Sequence, residues 1–160
     1  MNIIAIDPGT ANTGVVYLNE RGIICAKTIH FKHAIKQDQD ALLERAREIA
    51  RQLTEWIADK PHDVVVIEGF IGFTGRQGGY AFQTPYLCGF LHSILASENV
   101  VIQTSRKVFN PQTPRNMARV KDDLARGYMA IPYAEKITND HLRSAAVHGW
   151  YYLTSKGLIR

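Results

Sequence analysis

Ile3-Ile4-Ala5-Ile6-Asp7-Pro8-Gly9-Thr10-Ala11-Asn12-Thr13-Gly14 is an apolar run that ends on a carboxylate and then turns. Ile3 to Ile6 lacks the polar alternation of a half-exposed strand, so it reads as a strand buried on both faces. Asp7 then sits at the end of a central strand, where an unpaired carboxylate is costly unless it meets solvent, a cation or a hydrogen-bonding loop. Asp-Pro-Gly is also good turn chemistry, so this stretch alone leaves open an Asp that merely caps its turn. Val15 to Leu18 continues as a second strand.

A second stretch bears on that choice. Asp63-Val64-Val65-Val66-Ile67 is another doubly buried strand, and it too ends on an acid, Glu68, followed by Gly69. Between the two, Asn19 to Gly22 reads as a turn and Ile23 to Phe31 as a third strand, which makes an antiparallel meander. Leu42, Ala46, Ile49, Leu53, Trp56 and Ile57 then recur at helical spacing over 38–59, with the arginines expected on a solvated face. A strand that follows a crossover helix pairs in parallel with the first, so Asp7 and Glu68 emerge at the same edge of the sheet. Like charges there oppose one another, and a divalent cation resolves the conflict.

The remainder supplies aromatic and basic groups. Phe70 to Tyr80 is a Gly-rich loop directly after the second acid; its Phe70 and Phe73 can either stack on bases or tuck into the core, and its Arg76 can meet phosphate. Residues 82–97 read as a helix and 99–103 as a further parallel strand. Arg106, Lys107, Arg115 and Arg119 fall in a loop broken by Pro111 and Pro114 and in the first turns of the next helix, where they oppose the helix dipole and suit phosphate binding. The last helix opens at Thr138-Asn139-Asp140-His141, any of the first three being a candidate cap. Its Leu142, Ala146, Gly149 and Leu153 form a narrow face able to lie close to a sheet. Asp140 and His141 in its first turn can reach the strand ends.

The bulk properties exclude little beyond disorder. In 160 residues, 46% hydrophobic and 21% charged with net charge +4, a single globular domain over 1–160 is expected, with a modest allowance for an acidic partner. Cys25 and Cys88 have no Cys-x-x-Cys spacing and read as buried free thiols of a reducing compartment. Neither a signal sequence nor a membrane span is evident, and a cytoplasmic location is expected.

Taken in order, Ile-Asp-Pro-Gly-Thr with the following Thr-Gly, Val-Ile-Glu-Gly-Phe, and an acid or His opening a final helix before Ser-Ala-Ala resemble the RuvC-type Holliday junction resolvases over essentially the whole chain. That resemblance implies an α/β, RNase H-like fold: a five-stranded mixed sheet, three antiparallel strands plus two parallel, with helices on both faces. It also implies two Mg2+ ions, or Mn2+ in their place, and a homodimer that makes paired nicks in a four-way DNA junction. The family's first two acids fall on Asp7 and Glu68. Its last pair, acid or His, two residues, then Asp-Ala, falls on His141 and Ser144, and Ser is a poor charge-neutralising ligand. Asp140, one turn before Ser144, is expected to compensate, so the ligand set is Asp7, Glu68, Asp140 and His141, the last as ligand or proton donor.

Two other readings stand beside it. A non-catalytic junction-binding protein would keep the fold and tolerate Ser144. The opening stretch also looks like the first phosphate loop of actin-like ATPases, but those need two such lobes, and the Glu68 strand end has no place in that motif.

Overall fold

β1 (Ile3–Asp7), β2 (Asn12–Asn19) and β3 (Gly22–His30) form the antiparallel meander, and α1 (Gln39–Ile57) crosses over to β4 (Val64–Gly69), which pairs in parallel with β1. After α2 (Gln83–Ile94), β5 (Val100–Thr104) adds in parallel outside β4 and completes a five-stranded sheet in the order β3-β2-β1-β4-β5. α3 (Ser105–Val108), α4 (Met117–Ala125), a 3-10 turn at Ala134–Lys136 and α5 (Asp140–Ser155) follow. This computed structural model describes residues 1–31, 39–69, 83–110 and 116–159. The three antiparallel plus two parallel strands expected from the sequence are present.

Strand alternation sorts the apolar side chains into two cores. Ile3, Ala5, Val64 and Val66 pack with Leu142, Ala146, Trp150 and Leu153 of α5, while Ile4, Ile6, Val65 and Ile67 pack with Ile49 and Leu53 of α1 and Leu87 and Leu91 of α2. Helices therefore cover both faces. Each such Val, Leu or Ile side chain withdrawn from water contributes about 1.5–3 kcal/mol before chain entropy is counted. The narrow face predicted for the last helix is real: a Cβ on Gly149 would fall 2.7 Å from Leu18 Cδ2 and 3.0 Å from the Ala5 Cβ. The same alternation has a consequence at the strand ends, because Asp7 shares parity with Ile3 and Ala5, and Glu68 with Val64 and Val66. Both carboxylates belong to the α5 side.

The structure departs from the sequence reading in three places. Arg45 is 2% exposed, not on a solvated face, and its guanidinium lies 4.9 Å from the Phe31 ring centroid, so a cation–aromatic contact replaces water. Arg51 does behave as expected, pairing with Glu48 at 2.7 Å and Glu55 at 2.6 Å on the exposed face. The segment after β5 is not all loop: Thr104 caps a single helical turn, α3, with its side chain accepting from the Lys107 amide, so Arg106 and Lys107 are helical. Of the free cysteines, Cys88 is buried but Cys25 only partly so, since β3 is the edge strand.

Candidate metal centre at the strand ends

The β1–β4 register runs from Ile3 opposite Val64 to Ile6 opposite Ile67. One further step sets Asp7 beside Glu68. Across β1 on the other side, Asp7 pairs with Gly14. A Cβ on Gly14 would lie 2.4 Å from the backbone C and O of His141, so the bare backbone of β2 is what admits the start of α5. A Cβ on Gly9 would lie 2.9 Å from His141 Cε1, so the turn after Asp7 gives way to the imidazole in the same manner. Asn139 settles the question of the cap: its Oδ1 accepts from the Leu142 amide at 3.0 Å, while its Nδ2 donates to Thr28 Oγ1 at 2.7 Å and ties the helix start to β3. Held in this way, His141 Nδ1 meets Asp7 Oδ2 at 2.9 Å.

Glu68 is set on its other side. The hydroxyl of Ser105, the first residue of α3, donates to Glu68 Oε1. His148, two turns after His141 on α5 and fully buried, places Nε2 3.6 Å from Glu68 Oε2, and the Phe109 ring meets its imidazole edge-on at 5.8 Å. That separation is an ion-pair distance and too long for a hydrogen bond. Glu68 Oε2 and both ring nitrogens of His148 are buried with no hydrogen-bond partner.

These surroundings drive the two carboxyls apart. Burial raises the Asp7 pKa above its ordinary 3.8, the nearby Glu68 charge adds to the rise, and the His141 hydrogen bond opposes it. Burial likewise pushes Glu68 upward, but the facing His148 and the hydroxyls of Ser105 and Ser144 outweigh it and hold the group well below 4.5, at about 2. The hydrogen bond to Asp7 raises His141 above 6.5. A carboxyl with a depressed folded pKa contributes stability that is present above its unfolded value and is lost as pH falls through the folded one. Wild-type protein is therefore expected to lose more stability between pH 5 and pH 2.5 than Glu68→Gln does, measured as urea midpoints across that window; parallel curves would show that Glu68 has no such depression.

Of the sequence candidates, Asp7 stands beside Glu68 in the β1–β4 register and its carboxylate contacts His141. The Asp140 carboxylate is engaged elsewhere: its side chain is 70% exposed, with Oδ2 3.2 Å from Lys121 Nζ and Oδ1 3.7 Å from Arg143 Nε. Lys121 Nζ also donates to Ser144 Oγ at 3.2 Å and lies 5.9 Å from the Phe109 ring centroid. Arg106, Lys107 and Arg119 are exposed, Arg119 in a loose 3.9 Å pair with Asp123. Phe70, Phe73, Arg76 and Arg115 lie outside the described residues. Sequence reasoning missed His148 and Ser105. His148 carried a usable signal, since 141, 144 and 148 share a helix face at i, i+3 and i+7.

Two partly buried carboxylates and two imidazoles are donors suited to a divalent cation, and the unpartnered Glu68 Oε2 and His148 Nε2 are the atoms such an ion would satisfy. Among the described residues no three His, Cys, Asp or Glu side chains already converge as a metal-binding group; the contacts present are two pairs, Asp7 with His141 and Glu68 with His148.

No family model matches the sequence. A search of curated proteins found no match either. Solved structures do match. The Thermus thermophilus RuvC structure superposes with TM-score 0.69 at 18% identity, covering 98% of this chain and 97% of that one. RuvC of the same organism in complex with a Holliday junction substrate gives TM-score 0.68 at 18% identity, covering 97% and 96%. The yeast mitochondrial Holliday junction resolvase gives TM-score 0.64 at 10% identity, covering 96% of this chain and 79% of that one. From its sheet order to its final helix, the chain has the RNase H-like fold of the RuvC-type resolvases.

Proposed function

We propose that this chain is a divalent-cation-dependent endodeoxyribonuclease that cuts branched DNA, with the four-way junction as its principal substrate. The observation that carries the reading is the pair Asp7 and Glu68, adjacent at the ends of two parallel central strands and both turned towards α5, where folding alone gives no reason to bring two carboxylates together. Solved structures of that same architecture include RuvC, matched along nearly its full length and once in complex with a Holliday junction substrate, and a yeast mitochondrial Holliday junction resolvase.

Mg2+ is the expected ion, with Mn2+ as substitute, and two per site is the count the family resemblance implies. Asp7, Glu68 and His141 would hold it, while Asp140 would join only by leaving Lys121 and Arg143. The chemistry the cation would supply there is activation of the attacking water and stabilisation of the leaving 3'-oxygen. The chain's own groups do the rest. His141, its proton affinity raised by Asp7, can hold a proton at Nδ1 beside the reacting phosphate or, deprotonated, act as a ligand. Lys121 Nζ sets a positive charge beside the site, and the exposed Arg106, Lys107 and Arg119 would neutralise backbone phosphates, joined in this reading by Arg76 and Arg115, with Phe70 or Phe73 stacking on exposed bases.

Paired nicks require two such sites. A homodimer is supported by the outer face of α2, where Tyr86 and Ile94 are exposed and Tyr86 stacks on Phe90 with centroids 6.4 Å apart. Free Cys25 and Cys88 suit the reducing cytoplasm, and no helix among the described residues is long and apolar enough to cross a membrane.

Purified protein is expected to nick a synthetic four-way junction in Mg2+ or Mn2+ and to leave linear duplex uncut. If five or more phosphates are neutralised, log Kd should rise with log salt at a slope of roughly 4–5 or steeper. Tight binding without a nick in either metal would favour the non-catalytic binder, and ATP turnover the actin-like reading.

A further inference from the structure

The Ser144 position leaves the site one carboxylate short, and the structure shows what stands next to the gap. One helical turn later on the same face is His148, a histidine with no exposure to solvent and no hydrogen bond on either ring nitrogen. Leaving such a group unsatisfied costs about 1–3 kcal/mol. Its Nε2 faces Glu68 Oε2 across 3.6 Å, and that oxygen is unsatisfied as well. Two donors that share one cation, each about 2.1 Å from it, lie roughly 3.0–3.6 Å apart.

We infer that His148 is a ligand of the catalytic cation, replacing by its imidazole the carboxylate absent at Ser144. The assignment rests on the cation-dependent reading above and sharpens it. Asp7, Glu68, His141 and His148 make a set of two oxygens-bearing and two nitrogen-bearing groups. Imidazole nitrogen suits Mn2+ better than Mg2+, which demands oxygen donors and keeps its waters. The two imidazoles therefore raise the affinity for Mn2+ relative to Mg2+ above that of an all-carboxylate site, and Ser144 is left to accept the Lys121 ammonium instead of holding a metal.

Pulsed electron paramagnetic resonance on the Mn2+-loaded protein reads coordinated nitrogens directly, with no need for turnover. Wild type is expected to show couplings from two imidazoles. His141→Asn, a change at a partly exposed position, should keep one coupling if it retains Mn2+. His148→Gln should weaken Mn2+ binding by roughly tenfold or more while changing Mg2+ binding much less. A single coupled imidazole in the wild type that disappears in Mn2+-loaded His141→Asn overturns the assignment of His148 even if His148→Gln fails to fold, and so does a folded His148→Gln that binds Mn2+ as tightly as wild type. No Mn2+ binding by the wild type, or binding indifferent to both Asp7→Asn and Glu68→Gln, would instead remove the cation-dependent nuclease reading itself.

Discussion

Asp7→Asn is expected to abolish nicking of a four-way junction, by roughly 10^3-fold or more, the scale lost when a group on which the chemistry depends is removed, while binding of the uncut junction stays within about threefold because phosphate contacts dominate affinity. The same substitution should raise thermal stability of the metal-free protein. Burial and the charge of Glu68 raise the Asp7 pKa, so the folded state disfavours ionised Asp7 relative to the unfolded chain, and a neutral amide removes that opposition. Loss of the 2.9 Å contact should also return the His141 titration midpoint towards 6.5, which an imidazole proton resonance reports. A variant that still nicks at the wild-type rate would remove Asp7 from the chemistry. One that loses nicking together with stability would show only that the fold had failed.

The opposed signs of the stability and activity effects bear on what the sequence could reveal. An apolar strand that ends on an acid is visible in one dimension, because alternation and length define the strand and the carboxylate interrupts it; Asp7 and Glu68 were legible for that reason, as was the crossover that makes them neighbours. The other side of the site was not. On a helix, a polar residue flanked by apolar ones reads as core or cap, and the choice among Asp140, Ser144 and His148 depends on rotation about the helix axis. That rotation is fixed by contacts far apart in sequence: Asn139 with Thr28, and the α5 backbone against Gly14. Asp140 stays with Lys121 and Arg143, whose positive charges attract it where the strand-end carboxylates would repel it. Arg45 was missed for a related reason, since its partner Phe31 precedes the helix and no periodicity within the helix could signal it.

Gly14→Ala should show how much of the site depends on that docking. The new methyl would lie 2.4 Å from the carbonyl carbon and oxygen of His141 and 2.8 Å from the Leu142 amide nitrogen, all backbone atoms that no rotamer change can move aside. Relief requires α5 to lift from β2 at its first turn, and overpacking of this severity costs about 3 kcal/mol, or ~10 °C in Tm for a chain of this size. The lift carries His141 away from Asp7, so nicking and cation affinity should fall further than the lost stability explains under conditions where the variant is fully folded. Two other glycines calibrate the result. At Gly149 the nearest atom to an added Cβ is the end of the Leu18 side chain, which can turn, so Gly149→Ala should cost less. At Gly89 nothing lies within 4 Å, and Gly89→Ala in the interior of α2 should stabilise by about 0.5–1 kcal/mol through helix propensity. If Gly14→Ala melted no lower than Gly149→Ala and kept its activity, the close approach of α5 to β2 would not be what holds His141 at Asp7, and the position of the imidazole would rest on the Asn139 cap alone.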